Sequence, residues 1–495
     1  MFLTVSPFGN VLWVCDANVI NQITERRTDF PKDTRMYKAI DIFGENLVTT
    51  DGADWVRHRK ATAPTFSESN IRIVWAETIH QVQQVVRIWA ADDTRTSKTI
   101  VGAWEDMKTL SLHVISRAGF GRKMLWEDER ELVHDDTGSA MIPGKAATMA
   151  HRAYKELSAY MSDLYTEKKA AVEMGGGEKG MGTGEMKSMD LLGALIRSST
   201  MSQKDPAMVL NQREVLGNAF IFMFGGHETT ASTMYYALVF LALHPASQRL
   251  LQADLDAQFP AERPIDSWDY DADCATLLAT MPGAVIHETL RLIPPLMSLP
   301  KTTARGGCDG GQPLEHHGQT VFVPPGTRVN LVIPAAHRNP NYWPGAEEDL
   351  HVFRPQRWFL NSPSTTASKM TATPANNSAV PPVPFRPHKG AYLPFSDGRR
   401  ACIGRRFALV EAVTALAVLL RHHSIELAVG DPSSADDDAV ALEAMGTDER
   451  AVLWEAAARK ARRMMKEGVN TLSFKAMDSV PLRFVDRGRE MFYNM

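Results

Sequence analysis

Hydrophobic positions in this chain recur mostly at helical spacing. Between residues 105 and 120 they fall at Met107, Leu110, Val114 and Ala118, and residues 70–90 and 146–173 repeat the pattern. Each run predicts a helix with one buried face. The longest run, LNQREVLGNAFIFMFGGHETTASTMYYALVFLALH over 210–244, would extend about 50 Å at 1.5 Å per residue. Apolar on nearly every face, it is either buried or membrane-spanning. His227, Glu228, Thr229 and Thr230 interrupt it beside Gly225 and Gly226, where a bilayer would tolerate charge least, which favours a buried helix with a polar break. An amphipathic surface helix follows from Pro245, then a helix over PGAVIHETLRL (282–292).

Alternating stretches are few and short. SPFGNVLWVCD (6–16) predicts a strand or hairpin, with a helix over ANVINQITERR (17–27) behind it. A polar, turn-rich stretch covers 29–45. RVNLVIP (328–334) and residues 424–429 read as strands, and TLSFKAMDSVPLRFVDR (471–487) as a terminal hairpin. Residues 174–188, rich in glycine, predict a flexible connector; no GK[ST] follows the glycines, so a phosphate-cradling loop is excluded. The acidic, small-residue tract 430–449 predicts a surface loop within an insertion over 428–450, and WEAAARKARRMMKEG (454–468) a basic helix with a solvated face. The fold class is mainly α with small β-sheets.

Charge and cysteine content narrow the function. A formal net charge of −4 over 495 residues carries no nucleic-acid footprint. Four cysteines, Cys15, Cys274, Cys308 and Cys402, show no CxxC spacing, which argues against a disulfide framework or a zinc site and points to a reducing compartment. The first residues contain no apolar run long enough to span a bilayer and no leader with a cleavage site.

Candidate chemistry concentrates in PFSDGRRACIG, residues 394–404, where Cys402 lies between glycines and beside arginines just ahead of a helix-forming run. A helix N-terminus and nearby cations both favour the thiolate, which is the metal-binding form. A lone cysteine there would more simply be a small buried side chain on a turn; the joint pattern Phe395, Gly398, Arg400, Cys402 and Gly404 is what singles it out. Trp55 and Arg59 lie four apart on a helix entered through Asp51, Gly52 and Asp54, able to bind a carboxylate or simply to be a half-buried Trp beside a solvated Arg. HE at 227–228 suggests a zinc HExxH helix, but position 231 is Ala. Glu228 and Thr229 could instead deliver protons, or the stretch could simply be two glycines for close packing beside a satisfied buried Glu. Glu288 and Arg291, three apart, form a weak ExxR pair that Glu127 and Arg130 also match.

Taken in order, WxxxR, GGHETT, ExxR, FRPQRW and the Cys402 loop resemble the cytochrome P450 family across essentially the whole chain, in the manner of eukaryotic microsomal and especially fungal members. The resemblance implies a single domain over 1–495, with heme between the long central helix and the Cys402 loop. It implies heme b (iron protoporphyrin IX) on Cys402 as axial iron ligand. Phe395, Gly398, Gly404, Gly225 and Gly226 would shape the cofactor site, and Trp55, Arg59, Arg400 and Lys301 would meet its carboxylates. Glu228 and Thr229 would relay protons, while Glu288, Arg291 and Arg357 would form a buried salt-bridge network bracing the loop. Phe220, Phe224, Leu296, Met297 and Leu299, with the loop at Met36–Phe43, would line a hydrophobic substrate pocket. The expected reaction is insertion of one atom of O2 into a hydrophobic small molecule. Electrons would come from NADPH through NADPH-cytochrome P450 reductase, with cytochrome b5 as a second candidate donor. Arg399, Arg405, Arg406, Arg57 and Lys60 would offer a docking face. Two other readings are a heme-thiolate isomerase or dehydratase needing no reductase, and a non-catalytic, truncated heme-binding protein.

The sequence departs from the family in three places. Gln356 replaces the usual Glu, Lys301 stands where relatives often carry Arg, and Trp55 comes early. The last departure leads us to expect a chain without the family's membrane anchor and first sheet elements. The family location is the cytoplasmic face of the endoplasmic reticulum.

Overall fold

The computed structural model describes residues 1–7, 9–90, 97–126, 145–174, 190–201, 209–304, 311–359, 385–429, 439–470, 474–475 and 478–493. Among them the helices are α1 (Ala17–Glu25), α2 (Gly52–Thr62), α3 (Glu68–Trp89), α4 (Ala103–Phe120), α5 (Lys145–Glu173), α6 (Leu191–Met201), α7 (Gln212–Leu243), α8 (Pro245–Gln258), α9 (Tyr270–Ala279), α10 (Met281–Leu292), α11 (Ile333–Ala336), α12 (Arg405–His422), α13 (Ala439–Ala444) and α14 (Thr447–Lys466). The strands are β1 (Phe2–Ser6), β2 (Gly9–Val14), β3 (Ser97–Ile100), β4 (Ser298–Thr302), β5 (Gln312–His316), β6 (Gln319–Val323), β7 (Arg328–Val332), β8 (His423–Leu427), β9 (Val469–Asn470), β10 (Phe474–Lys475) and β11 (Leu482–Asp486). They gather into two compact units, one of residues 1–33, 78–110 and 228–495, the other of residues 34–77 and 111–227.

In the first unit, β1 and β2 form an antiparallel hairpin that joins β7 and β4 in a sheet of order β1-β2-β7-β4. Residues 2–14 thus supply two strands of a sheet where the first sheet elements were expected to be missing. The alternation in NVLWV explains it: Leu12 and Val14 turn inward while Trp13 is only half-buried. Leu12, Val14, Ile20, Ile23, Val329 and Leu331 share one buried cluster with Leu393, which leads into the Cys402 loop.

A second sheet has the order β3-β11-β8. This corrects the expected terminal hairpin: β9 pairs with β10, but β11 lies between β3 and β8. Both faces of β11 are buried, and Arg483 is ion-paired at 2.7 Å to Glu426, its register partner on β8. The expected loop over 430–449 also gives way, since α13 and the start of α14 fall within it, in the Ala-rich part where helix propensity is high. The glycine-rich tract 175–188, like Cys308, lies outside the described residues.

In the second unit, the N-terminal half of α7 packs against the loop at 40–50. Gly217 permits the approach, because a Cβ there would lie 2.5 Å from the Gly44 carbonyl oxygen. Helix α7 is buried along most of its length, as its all-round apolarity predicts. No helix among the described residues is long and apolar enough to cross a membrane.

Candidate functional site

The Cys402 loop is fixed by its own backbone and by α1. The Cys402 N–H donates to the Phe395 carbonyl at 2.8 Å, the Ala401 N–H to Gly398, and the Gly398 N–H to the Asp397 carboxylate. Ser396 and Gly398 both take positive φ, +59° and +65°. A Cβ on Gly398 would stand 2.6 Å from the Thr24 carbonyl oxygen, and one on Gly390 would stand 2.2 Å from that of Ala17. The chain from 390 to 398 is therefore laid against both ends of α1, an arrangement the sequence pattern did not indicate. Cys402 is exposed, three residues before α12, and Arg405 lies over the Phe395 ring at 5.8 Å. Gly404 is the N-cap of α12.

Behind the loop, Glu288 is the centre of a fully buried network. Its Oε1 accepts from Arg291 Nη2 and Arg357 Nε, each at 2.8 Å, and from the Arg354 N–H at 3.0 Å. Its Oε2 accepts from Arg291 Nε at 2.8 Å and Trp358 Nε1 at 3.0 Å. Burial opposes ionisation, but the two guanidinium groups and these hydrogen bonds hold the Glu288 carboxyl below its usual range. The predicted triad is thus brought together; the Trp358 contact was not foreseen. Gln356 is half-buried and takes no part in these bonds to Glu288.

His337 carries this framework to the loop. It is fully buried. Its Nε2 accepts from the Leu393 N–H at 2.7 Å, so Nδ1 carries the proton and donates to the Arg291 carbonyl at 3.1 Å. Next to it, the Tyr392 hydroxyl donates to the His287 carbonyl at 3.1 Å, with His287 Nδ1 also within 3.0 Å of that hydroxyl. Burial pushes His287 down to about 4 and His337 to about 3. Sequence reasoning missed His337 because its partners are backbone groups, which leave no paired side chain to recognise.

In α7, residues 223–229 are half-buried or exposed within an otherwise buried C-terminal stretch. The expected polar break is present in side chains only, since the backbone stays helical through Gly225 and Gly226. His227 Nδ1 donates to the Met223 carbonyl at 2.8 Å, and Thr233 Oγ1 to that of Thr229 at 2.9 Å. A Cβ on Gly225 would meet nothing within 4 Å, so the helix is open on the face it shares with Glu228 and Thr229. Lys301, on β4, is buried. Leu299 packs on the sheet core, the Met297 carbonyl accepts from the Ile333 N–H, and Leu296 is exposed.

The other unit holds Trp55, buried, and Arg59, half-buried, one turn apart on α2, whose N-cap is Asp51. Between them, Arg57 makes a two-point ion pair with Glu214 on α7, at 2.8 and 2.5 Å, so it is engaged inward and is not the docking charge expected of it. Asn218 Nδ2 donates to His58 Nδ1 at 2.8 Å, and Asn218 Oδ1 accepts from the Leu47 N–H. Phe220 stacks on Phe224 at 5.7 Å and meets Phe43 at 5.0 Å, bringing together two of the three stretches predicted to line a pocket.

A family model described as Cytochrome P450 matches residues 8–446. The chain belongs to the cytochrome P450 family. It is 30% identical over 452 residues to cytochrome P450 monooxygenase 124 of Postia placenta, covering 86% of this chain and 77% of the relative. It is 27% identical over 461 residues to the cytochrome P450 monooxygenase ORF6 of Penicillium roqueforti, covering 87% and 76%. Among solved structures, the heme domain of cytochrome P450DA superposes with a TM-score of 0.66 at 20% identity, covering 99% of this chain and 90% of that one. This P450 is a heme-thiolate monooxygenase whose family uses heme b and electrons from a reductase, typically at the expense of NADPH, and acts on hydrophobic substrates. The residues present suit that cofactor. Cysteine is among the most buried residue types, yet Cys402 is exposed on a backbone-fixed loop ahead of a helix, as a thiolate ligand requires.

Glu288→Ala leaves two buried guanidinium groups without their carboxylate and should cost about 3–5 kcal/mol, read as a lowered urea midpoint. The buried histidines make stability fall in acid. Unfolded histidine titrates near about 6.5, so between that value and about 4 the unfolded chain binds more protons than the folded one. Unfolding free energy should therefore decline as pH drops from about 6.5, and the slope should be shallower in His337→Gln, compared by urea titrations at pH 7 and pH 5.

Proposed function

We propose that Cys402 is the thiolate that would hold the iron of heme b in this P450 and that Glu228 and Thr229 move the protons its oxygen chemistry consumes. The observation that carries this reading is the exposed Cys402 thiol on a loop locked by the Phe395 carbonyl, Gly398 and α1. Heme b, when bound, supplies the iron at which dioxygen is activated, and a cysteinate ligand favours O–O cleavage there. The chain's own groups do the rest. Phe395 and Gly398 hold the loop's shape, while the Glu288, Arg291 and Arg357 network, through His337, fixes the approach to it. Arg400, Lys301, Trp55 and Arg59 are assigned to the cofactor's carboxylates, each by its charge or hydrogen-bonding type alone. Lys301 acts as a point charge without the fork of an Arg. Gly225 leaves open the face of α7 that it shares with Glu228 and Thr229, whereas Gly226 lies against Ile115, whose Cδ1 would be 3.6 Å from a Cβ there. On the open face Glu228 would exchange protons with water while Thr229 Oγ1 accepts and donates in turn.

The aromatic group of Phe43, Phe220 and Phe224 supports a hydrophobic substrate, with Leu296, Met297 and Leu299 as further candidate contacts. A relative at 25% identity is the monooxygenase of the phomenoic acid biosynthesis cluster in Leptosphaeria maculans, which supports a role in secondary metabolism. We assign NADPH-cytochrome P450 reductase as electron donor, with cytochrome b5 as an accessory, at the cytoplasmic face of the endoplasmic reticulum. Arg399, Arg405 and Arg406, all exposed, are the cations an acidic reductase surface would meet.

Reconstitution with reductase tests the relay. Thr229→Ala should keep NADPH oxidation while product per NADPH falls by about tenfold, below the roughly hundredfold of a full general acid because water partly substitutes. The missing equivalents should appear as peroxide. Unchanged coupling would remove Thr229 from the relay.

A further inference from the structure

The β5–β6 hairpin closes on a two-residue turn, His317-Gly318, with φ of +51° and +76°. Positive φ at both central positions is type I′ geometry, met at least cost by Asn or Gly. Here a histidine takes the first position, directly after His316 at the end of β5. The two imidazoles have ring centres 4.1 Å apart at an interplanar angle of 59°. Facing them is Asp16, only 7% exposed, the N-cap of α1. One ligand atom from each of the three residues lies within 4.8 Å of the other two.

The carboxylate is held in place from behind. Asp16 Oδ1 accepts from the Val19 N–H at 3.0 Å and Oδ2 from the Tyr342 hydroxyl at 2.7 Å. Such outer partners orient a metal-binding carboxylate and leave its remaining lone pairs directed outward. The hairpin is already docked along α1: Gln22 exchanges hydrogen bonds with the Glu315 backbone at 2.8 and 2.9 Å, and Arg26 donates to the Pro313 carbonyl and to Gln312. Only at the turn is the contact made by side chains that are ligands by type.

We propose that Asp16, His316 and His317 bind a divalent transition metal of the zinc type, with water completing the coordination. Ligand atoms around a tetrahedral zinc with bonds of 2.0–2.1 Å lie about 3.4 Å apart, so the site must close by at most about 1.4 Å. His316 is half-buried and His317 exposed, so rotation of the rings supplies that movement. Two imidazoles and one carboxylate suit zinc; calcium and magnesium call for six or more oxygens and are excluded by the donor set. The metal would fasten the hairpin tip to the end of α1 that also carries the Ala17 carbonyl against Gly390. Its role is therefore to stiffen the helix on which the Cys402 loop rests.

The test titrates zinc sulfate into the heme-loaded full chain after treatment with EDTA, by calorimetry and thermal unfolding. The chain has 15 histidines, so the reading is the difference between wild type and variants. Wild type should bind one equivalent that is lost on substitution, with an unfolding midpoint raised by about 2–3 °C at a hundredfold excess over the dissociation constant. His317→Gly should abolish that shift without lowering the metal-free midpoint, because glycine adopts positive φ more easily. Asp16→Asn preserves the helix cap and should weaken zinc at least tenfold. Equal zinc affinity in wild type and the His316→Ala, His317→Gly double variant overturns the proposal, as does wild type showing no saturable equivalent.

Discussion

Five hydrogen bonds converge on the carboxylate of Glu288, and the first unit is arranged around them. A buried charge is tolerable only when it is fully paired, and here the pairing draws on α10 and on residues 354, 357 and 358. Arg291 extends the grip to the carbonyls of His337 and Leu350. Because Arg291 is held this firmly, its own carbonyl is a fixed point for His337, and His337 in turn fixes Leu393 one residue before the segment 394–404 that holds Cys402. The ion cluster thus acts on the cysteine through a neutral histidine rather than by touching it.

Helix α1 supplies the opposite constraint. Two glycines with positive φ, Gly390 and Gly398, bring the loop backbone against carbonyls at the two ends of that helix, at distances no side chain would allow. The loop is therefore held from the α10 side by directed hydrogen bonds and from the α1 side by close packing. In the second unit a similar logic holds α2 on α7, where Arg57 and His58 engage Glu214 and Asn218. That engagement sets the stem from which Trp55 and Arg59 project.

Much of this was legible in the sequence wherever the chemistry is local. The Cys402 loop reads from one stretch of eleven residues, and Glu288 with Arg291 reads from i,i+3 spacing on one helix. Arg357 could be joined to them only through the family resemblance. The buried helix α7 reads from apolarity on every face. His337, Trp358 and the α1 contacts did not read, because each acts across long sequence separations and mostly through backbone groups. Strand alternation marked β11 but could not name its partners, so a terminal hairpin was expected where a central strand stands. The N-terminal strands were likewise visible as a pattern and misjudged only in their place in a sheet.

As proposed, the fixed loop presents a thiolate to heme iron. The most direct measurement is the carbon monoxide difference spectrum of the ferrous, heme-loaded chain beside its Cys402→Ala variant. The wild type should show a red-shifted Soret band that disappears in Cys402→Ala while heme remains bound. A red-shifted band that survives the substitution, or heme-loaded wild type that never shows one, would contradict it.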